Sequence, residues 1–256
     1  MTWWEAFYDE HLARALLEGT DPRDLEQTLS FFVRHLNLTP GARVYDQCCG
    51  IGRLSLPLAR QGYQVIGVDQ APAYIEQATA DADAEDLPIT LLARDAFEFL
   101  PEAPVDAAIN WWTSFGYAAT DEQNTQMLCR AFESLRPGGR FALDFMNLPG
   151  VLHGFHRDAV DHRPVDGGDL VLHRESRLNL PEGVLEKTWR YFLPDGRRVS
   201  HETRVRLYMP HQLVEILTTV GFTDVQLFGA VDSSPLTLES PRCIAVATRP
   251  RRPPTA

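Results

Sequence analysis

Apolar and polar positions along this chain change period repeatedly, and the changes write helices and strands by turns. Near the start, Trp4, Phe7, Leu12, Leu16 and Leu17 form an uneven apolar stripe. After Asp21-Pro22 a second stripe carries Leu25, Leu29, Phe32 and Leu36, so residues 3–36 read as helical. Arg43–Gln47 then reads as a strand, followed by a turn with Gly50 and Gly52 and a helix through Leu54, Leu58 and Ala59 that stops at Gly62. Gln64–Val68 is a short, largely apolar run of the kind buried on both faces of a parallel sheet. Pro72–Ala80 is a helix with proline in its first turn, and Ile89–Ala93 and Val105–Asn110 are further strands. Thr120 and Gln123 form a capping pair before a helix whose stripe is Met127, Leu128, Ala131, Phe132 and Leu135. Pro137-Gly138-Gly139 turns the chain into a fifth strand, Arg140–Met146.

From about residue 165 the character changes. Three β-rich runs, 169–180, 184–193 and 197–209, are separated by Pro181-Glu182-Gly183 and Pro194-Asp195-Gly196, which predicts an antiparallel meander. A helix over His211–Val220 ends at Gly221, and strands follow at Thr223–Phe228 and Cys243–Thr248. The expected fold is α/β: a doubly wound, seven-stranded, mostly parallel sheet with an antiparallel β insertion after strand five. It divides the chain into an N-terminal helical cap (1–38), a core (39–150 and 210–249), an inserted sheet (151–209) placed to act as a substrate lid, and a disordered tail (250–256).

Composition narrows the function. With 44% hydrophobic and 23% charged residues the chain is an ordinary globular protein. A net charge of −11 and the lack of a Lys/Arg stripe argue against a nucleic-acid partner. The four cysteines, Cys48, Cys49, Cys129 and Cys243, show no Cys-x-x-Cys spacing and no accompanying His cluster, so no metal is expected and the thiols read as reduced. No apolar leader and no 18-residue apolar run is present; the expected location is cytoplasmic, with no membrane partner. A homodimer is left open.

Three strand ends carry the chemistry. In Asp46-Gln47-Cys48-Cys49-Gly50-Ile51-Gly52 the glycines let backbone approach a ligand, at a helix N-terminus that favours negative groups. Asp69, closing Val65–Val68, can accept both hydroxyls of an adenosine ribose. Asp95, in Arg94-Asp95-Ala96-Phe97, offers an acceptor for an adenine amino group beside a backbone N–H, while Phe97 can pack on the ring. Singly these have plain structural readings, since a glycine turn is a common connection and a strand-end Asp is often a helix cap. In order, at the carboxyl ends of strands one to three, they mark the ligand crevice of a doubly wound sheet.

These residues resemble the class I S-adenosylmethionine-dependent methyltransferases, whose opening motif is matched by Val44–Gly52. With Asp69, Asp95, Leu135–Gly139 and Gly221-Phe222 the resemblance covers nearly the whole chain. It is strongest to a bacterial small-molecule subgroup with Cys-Cys-Gly-x-Gly-Arg in the first motif (Cys48–Arg53), Ser-Phe-Gly-Tyr after strand four (within Thr113–Tyr117) and an antiparallel insert, similar in layout to amino-sugar N-methyltransferases and glycine/sarcosine-type enzymes. The resemblance implies a Rossmann-like core, S-adenosyl-L-methionine as cofactor, and a small-molecule methyl acceptor. It places Asp46, Cys49, Gly50 and Gly52, with Cys48 and Arg53 beside them, on the methionine half. Asp69 and Gln70 fall at the ribose, Asp95, Ala96 and Phe97 at the adenine, and the Asn110 carbonyl at the methionine ammonium. Cys48 stands where the family has its first glycine, and Ala71 where a helix-capping serine is common.

Acceptor-pocket candidates are Trp111, Trp112, Phe115 and Tyr117 after strand four, and Trp4 and Tyr8, with Trp3, Phe7 and His11, near the N-terminus. Methyl transfer from a sulfonium asks chiefly for alignment, and no general base stands out. Tyr8, which the resemblance places to close over the cofactor, and His201, on an apolar strand face with Val199, Thr203, Val205 and Leu207, are the catalytic candidates; on such a face a histidine is more often structural. Two alternatives stand beside methyl transfer to N or O: a non-catalytic, regulatory cofactor-binding module, and an NAD(P)-dependent oxidoreductase. The second rests on Gly50-x-Gly52-x-x-Ser55 and Asp69, and it lacks the third glycine of that fingerprint.

Overall fold

The structure is a computed structural model that describes residues 2–8, 21–165 and 167–251. The expected helix beyond Tyr8, with Leu12, Leu16, Leu17 and His11, lies outside the described residues, as do residues 252–256 of the expected tail. A short helix α1 (Trp3–Phe7) is followed by α2 (Pro22–His35), which Asp21 caps by accepting the Arg23 N–H at 2.8 Å.

The central sheet alternates strand and helix: β1 (Arg43–Gln47), α3 (Ser55–Arg60), β2 (Gln64–Asp69), α4 (Pro72–Ala84), β3 (Ile89–Ala93), β4 (Val105–Asn110), α5 (Asp121–Ser134) and β5 (Leu135–Met146). After the second sheet, α7 (Pro210–Val220), β10 (Thr223–Phe228) and β11 (Arg242–Thr248) complete it. The strand order is β10-β11-β5-β4-β1-β2-β3, parallel from β5 to β3, with β11 antiparallel to both of its neighbours. This is the expected doubly wound, seven-stranded sheet. The order reverses between β1 and β4, so their carboxyl ends open the crevice in which such sheets bind ligands. The helices bury apolar faces on both sides: α5 and α7 with Leu128, Leu213 and Phe222 on one, α2 and α3 with Phe32 and Leu58 on the other.

Two expectations about strands change. β5 begins at Leu135 rather than Arg140, taking in Pro137-Gly138-Gly139, because a register shift between Val105 and Ala107 absorbs that segment against β4. The second, antiparallel sheet has four strands, not three: β6 (Asp158–Val165), β7 (Gly168–Asn179), β8 (Val184–Phe192) and β9 (Arg198–Arg206), in that order. β6 is largely exposed and carries Pro164, both tolerable on an edge strand, and so has no apolar period to read. A short helix α6 (Leu148–His153) leads into it. The inward face of this sheet presents Leu170, Leu172, Trp189 and Tyr191, and α1 lies against it with Phe7 buried, its ring 5.1 Å from Trp189. Burying that phenyl ring is worth about 2 kcal/mol, the largest single anchor of α1. Among the described residues no helix is long and apolar enough to cross a membrane.

Candidate active site at the sheet's switch point

The chain leaves β1 through Asp46 and Gln47 and must turn at once into α3. Cys48 takes φ 62°, Gly50 56° and Gly52 80°, all in the left-handed region. Gly52 answers to packing, since a Cβ there would sit 3.0 Å from Leu56 and 3.3 Å from Ala78. Gly50 answers to the cavity: a Cβ there meets nothing within 4 Å. Its N–H donates to Asp69 Oδ2 at 2.9 Å, while Asp69 Oδ1 accepts the Ala71 N–H at 2.9 Å. One carboxylate thus pins the glycine turn and starts α4, which explains how Ala71 stands without a capping side chain. Burial pushes the Asp69 carboxyl up, against the pull of these backbone bonds.

Asp46 is buried beneath the turn. It accepts the Ser55 hydroxyl at 2.6 Å, and burial pushes its carboxyl up to about 7 despite that bond. The Cys48 and Cys49 thiols are driven up by burial and by the nearby Asp46 and Asp69 charges, so both stay protonated and unreactive. Asn110 is fully buried: its Nδ2 donates to Gln47 Oε1 at 3.2 Å, and Gln47 in turn donates to the Met127 carbonyl at 3.0 Å. Asn110 Oδ1 finds no partner among the described residues. At the end of β3, Asp95 accepts the Phe97 N–H at 2.8 Å and shapes the turn that carries Ala96 and Phe97.

A single cavity gathers most of the predicted residues. Cys48, Cys49, Gly50 and Arg53 line it from β1, Asp69 and Gln70 from β2, and Asp95, Ala96 and Phe97 from β3. Trp111, Trp112 and Tyr117 close it after β4, with Trp4 and Tyr8 above. It shares Trp4, Phe97 and Tyr117 with a wider outer groove of about 1020 Å³. The Tyr8 and Tyr117 hydroxyls are 2.5 Å apart, and burial pushes both phenols up, so neither serves as a base near neutrality.

Seven of the predicted residues that are described stand outside that lining; Trp3 lines the outer groove, and Phe7 is buried against the second sheet. Asp46 and Asn110 lie buried behind it, and Gly52 faces the helices. Phe115 is in the core, stacked 5.4 Å from Tyr208, because the turn after β4 presents Ser114 to the cavity and its neighbour to the interior. His201 projects from β9 onto Phe7 and Tyr191, with ring centres 5.9 and 6.0 Å away, among side chains that hold α1.

The loop after β4 is strained. Trp112 and Thr113, neither a glycine, take φ 55° and 64°, conformations that cost ~1–3 kcal/mol each unless held. They are held by Asp144 on β5, whose Oδ2 accepts the Trp112 N–H at 3.1 Å and whose carbonyl accepts the Thr113 N–H at 3.1 Å. Arg242 on β11 grips the same carboxylate with two bonds of 2.7 and 2.5 Å. Trp112, 39% exposed, stacks under the Arg53 guanidinium at 3.9 Å. Sequence reasoning missed Ser55, Tyr74, Met127, Asp144 and Arg242. Ser55 and Met127 lie in segments already singled out, whereas Asp144 and Arg242 meet only through the β5–β11 pairing.

Residues 44–139 match the methyltransferase domain family. An S-adenosyl-L-methionine-dependent Diels-Alderase of Talaromyces variabilis is 35% identical over 113 residues, which are 42% of this chain and 37% of that protein, so the chain spans little more than a third of this relative. Among solved structures, the CcbJ methyltransferase of Streptomyces caelestis superposes with a TM-score of 0.81 at 18% identity, covering 95% of this chain and 98% of that one. The sugar N-methyltransferase KedS8 of a Streptoalloteichus species gives 0.70 at 21% identity, covering 91% and 90%. At such identities these two likenesses speak for the fold. Residues 44–139 therefore match a methyltransferase domain, set in a Rossmann-like methyltransferase fold.

Proposed function

We propose that this chain transfers a methyl group from S-adenosylmethionine to a nitrogen of a small molecule. The observation that carries the reading is the Asp69 carboxylate, which closes the glycine turn of β1 from the end of β2 and lines the same cavity as Asp95, Ala96 and Phe97. On this reading Asp69 and Gln70 hold the ribose, Asp95, Ala96 and Phe97 the adenine, and Cys48, Cys49 and Gly50 the methionine half. The residues suit a cationic guest: Asp46 is a buried and Asp69 a half-buried carboxylate, and a positive charge would ease the ionisation of both. The cofactor, when bound, supplies an electrophilic methyl group on a sulfonium. The chain contributes alignment, worth roughly 7–11 kcal/mol for a well-placed pair, with Tyr8, Tyr117 and Trp112 excluding water around the donor.

Nitrogen is favoured over oxygen because the tyrosines around the cavity are held as phenols. A hydroxyl acceptor needs a base, whereas an amine that arrives neutral does not. The likeness to a sugar N-methyltransferase points the same way. The second sheet, with α1 laid on it, serves as the lid over the acceptor. An oxidoreductase is disfavoured, because the third-glycine position holds Ser55, whose hydroxyl is committed to Asp46.

Methyl transfer itself has to be followed, since one relative is named for a cycloaddition. Incubation with methyl-labelled cofactor and a metabolite extract should place label in an amine product. Label in no product, from protein that binds the cofactor, would reject catalysis. Asp69→Ala should weaken cofactor binding more than tenfold by calorimetry, and unchanged affinity in a folded variant would reject the ribose assignment.

A further inference from the structure

Lys187 is the only lysine in a chain with 24 cationic side chains; the rest are arginine. It stands in the middle of β8 on the inward face of the second sheet, between Leu185 and Trp189 and opposite Ser176 on β7 and Thr203 on β9. There it lines a cavity of about 370 Å³ at the carboxyl end of β5, whose other walls include Met146, Val151 and Pro241. No carboxylate among the described residues pairs with it; its ammonium lies 5.7 Å from the centre of the Trp189 ring.

The surroundings are cationic. Arg174 on β7 lines the same cavity; it binds Asp161 on β6 through Nη2, while its Nε is buried and has no partner among the described residues. Arg242 approaches from β11 with its charge already spent on Asp144. Burial and these two guanidinium groups push the Lys187 amine down to about 8. The remaining titratable groups on the cavity wall are His153 and His156, from α6 and the segment after it, and Glu239 before β11. A part-buried amine and a part-satisfied guanidinium are costly to keep unless something anionic meets them.

Position ties this cavity to the donor site. The Asp144–Arg242 pair links the two: Asp144 holds the backbone of Trp112, which lines the donor cavity, and the Arg242 charge acts on both Tyr117 and Lys187. We propose that the cavity at the carboxyl end of β5 takes an anionic group of the methyl acceptor, a carboxylate or a phosphate, against Lys187 and Arg174. This rests on the methyl-transfer reading, because it makes the cavity the far end of the acceptor site. A lysine suits the role, as a compact charge that can approach a carboxylate or phosphate oxygen from any direction.

A single lysine makes the test direct. Protein grown with carbon-13-labelled lysine gives one side-chain resonance, which is titrated with pH and then with sodium acetate or inorganic phosphate, with and without S-adenosylmethionine. The expected result is a saturable shift with one of the two anions at millimolar concentration, and a titration midpoint that rises by about one unit or more at saturation. Phosphate alone, or acetate alone, identifies the group. By calorimetry, Lys187→Gln and Arg174→Gln should each weaken that anion at least tenfold, and Lys187→Arg should stay within threefold. A resonance indifferent to both anions, or equal anion binding by Lys187→Gln, overturns the proposal. Because the anion arms are also run without cofactor, the subsite stands or falls independently; loss of cofactor binding would count instead against the methyl-transfer reading.

Discussion

The proton on Asp46 should make cofactor binding depend on pH in a specified direction. Burial holds this carboxyl near 7 in the free protein, so at neutrality it is about half protonated. S-adenosylmethionine carries positive sulfonium and ammonium groups, and a positive guest favours the ionised form. Below about pH 7 binding must therefore displace a proton, and the apparent association constant should fall by up to tenfold per unit, ~100-fold between pH 7 and 5, or about 3 kcal/mol. Asp69, raised by burial as well, acts in the same direction. Calorimetry in two buffers of different ionisation enthalpy counts the protons, and release should approach one per site near pH 6. Asp46→Asn keeps an acceptor for Ser55 and should flatten the slope, as should S-adenosylhomocysteine, which lacks the sulfonium. Stability supplies an independent check. A folded-state pKa above the unfolded one means the native protein binds more protons between about pH 4 and 7, so stability falls as pH rises through that window. Asp46→Asn should then gain up to ~4 kcal/mol above pH 7 and nothing below pH 4. Parallel pH profiles for wild type and variant, in both binding and unfolding, would refute the reasoning.

Two further variants probe the strained turns. Cys48→Gly removes a side chain from a left-handed backbone position (φ 62°) and should raise the unfolding free energy by about 1 kcal/mol in denaturant titrations; a loss would mean that the packing of the thiol outweighs the strain. Arg242→Met leaves the buried Asp144 carboxylate unpaired and should cost ~3–5 kcal/mol. It should also speed amide exchange at Trp112 and Thr113 at least tenfold, and unchanged exchange there would show that Arg242 does not support the loop.

The parallel strands were legible because a strand buried on both faces is almost wholly apolar, as Ala107–Ile109 and Val65–Val68 are, and helix starts at Asp21 and Thr120 announced themselves by chemistry. β6 was not legible, since an exposed edge strand with Asp158, His162 and Pro164 carries no period. Phe115 shows a second limit. Composition marks it as aromatic near a ligand, but the backbone turn after β4 decides which of two adjacent side chains faces the cavity. Asp144 and Arg242 show a third, being 98 residues apart and brought together by strand pairing alone.

Charge sorts the two sides of the switch point. Each crevice turn departs from ordinary backbone geometry, Cys48 after β1 and Trp112-Thr113 after β4, and each is pinned by a carboxylate from the neighbouring strand, Asp69 from β2 and Asp144 from β5. The pins differ in one respect. Asp144 is neutralised by Arg242, whereas Asp69 is held by backbone N–H groups, near the buried Asp46. Arg53, a cation lining that cavity, stacks on Trp112. The donor side thus suits a cation, and in the cavity at the carboxyl end of β5 the proposed partner of Lys187 and Arg174 is an anion. A cationic donor and an acceptor with an acidic group would each be repelled from the other's place, so the same charges that recruit the two molecules also set their order across the site.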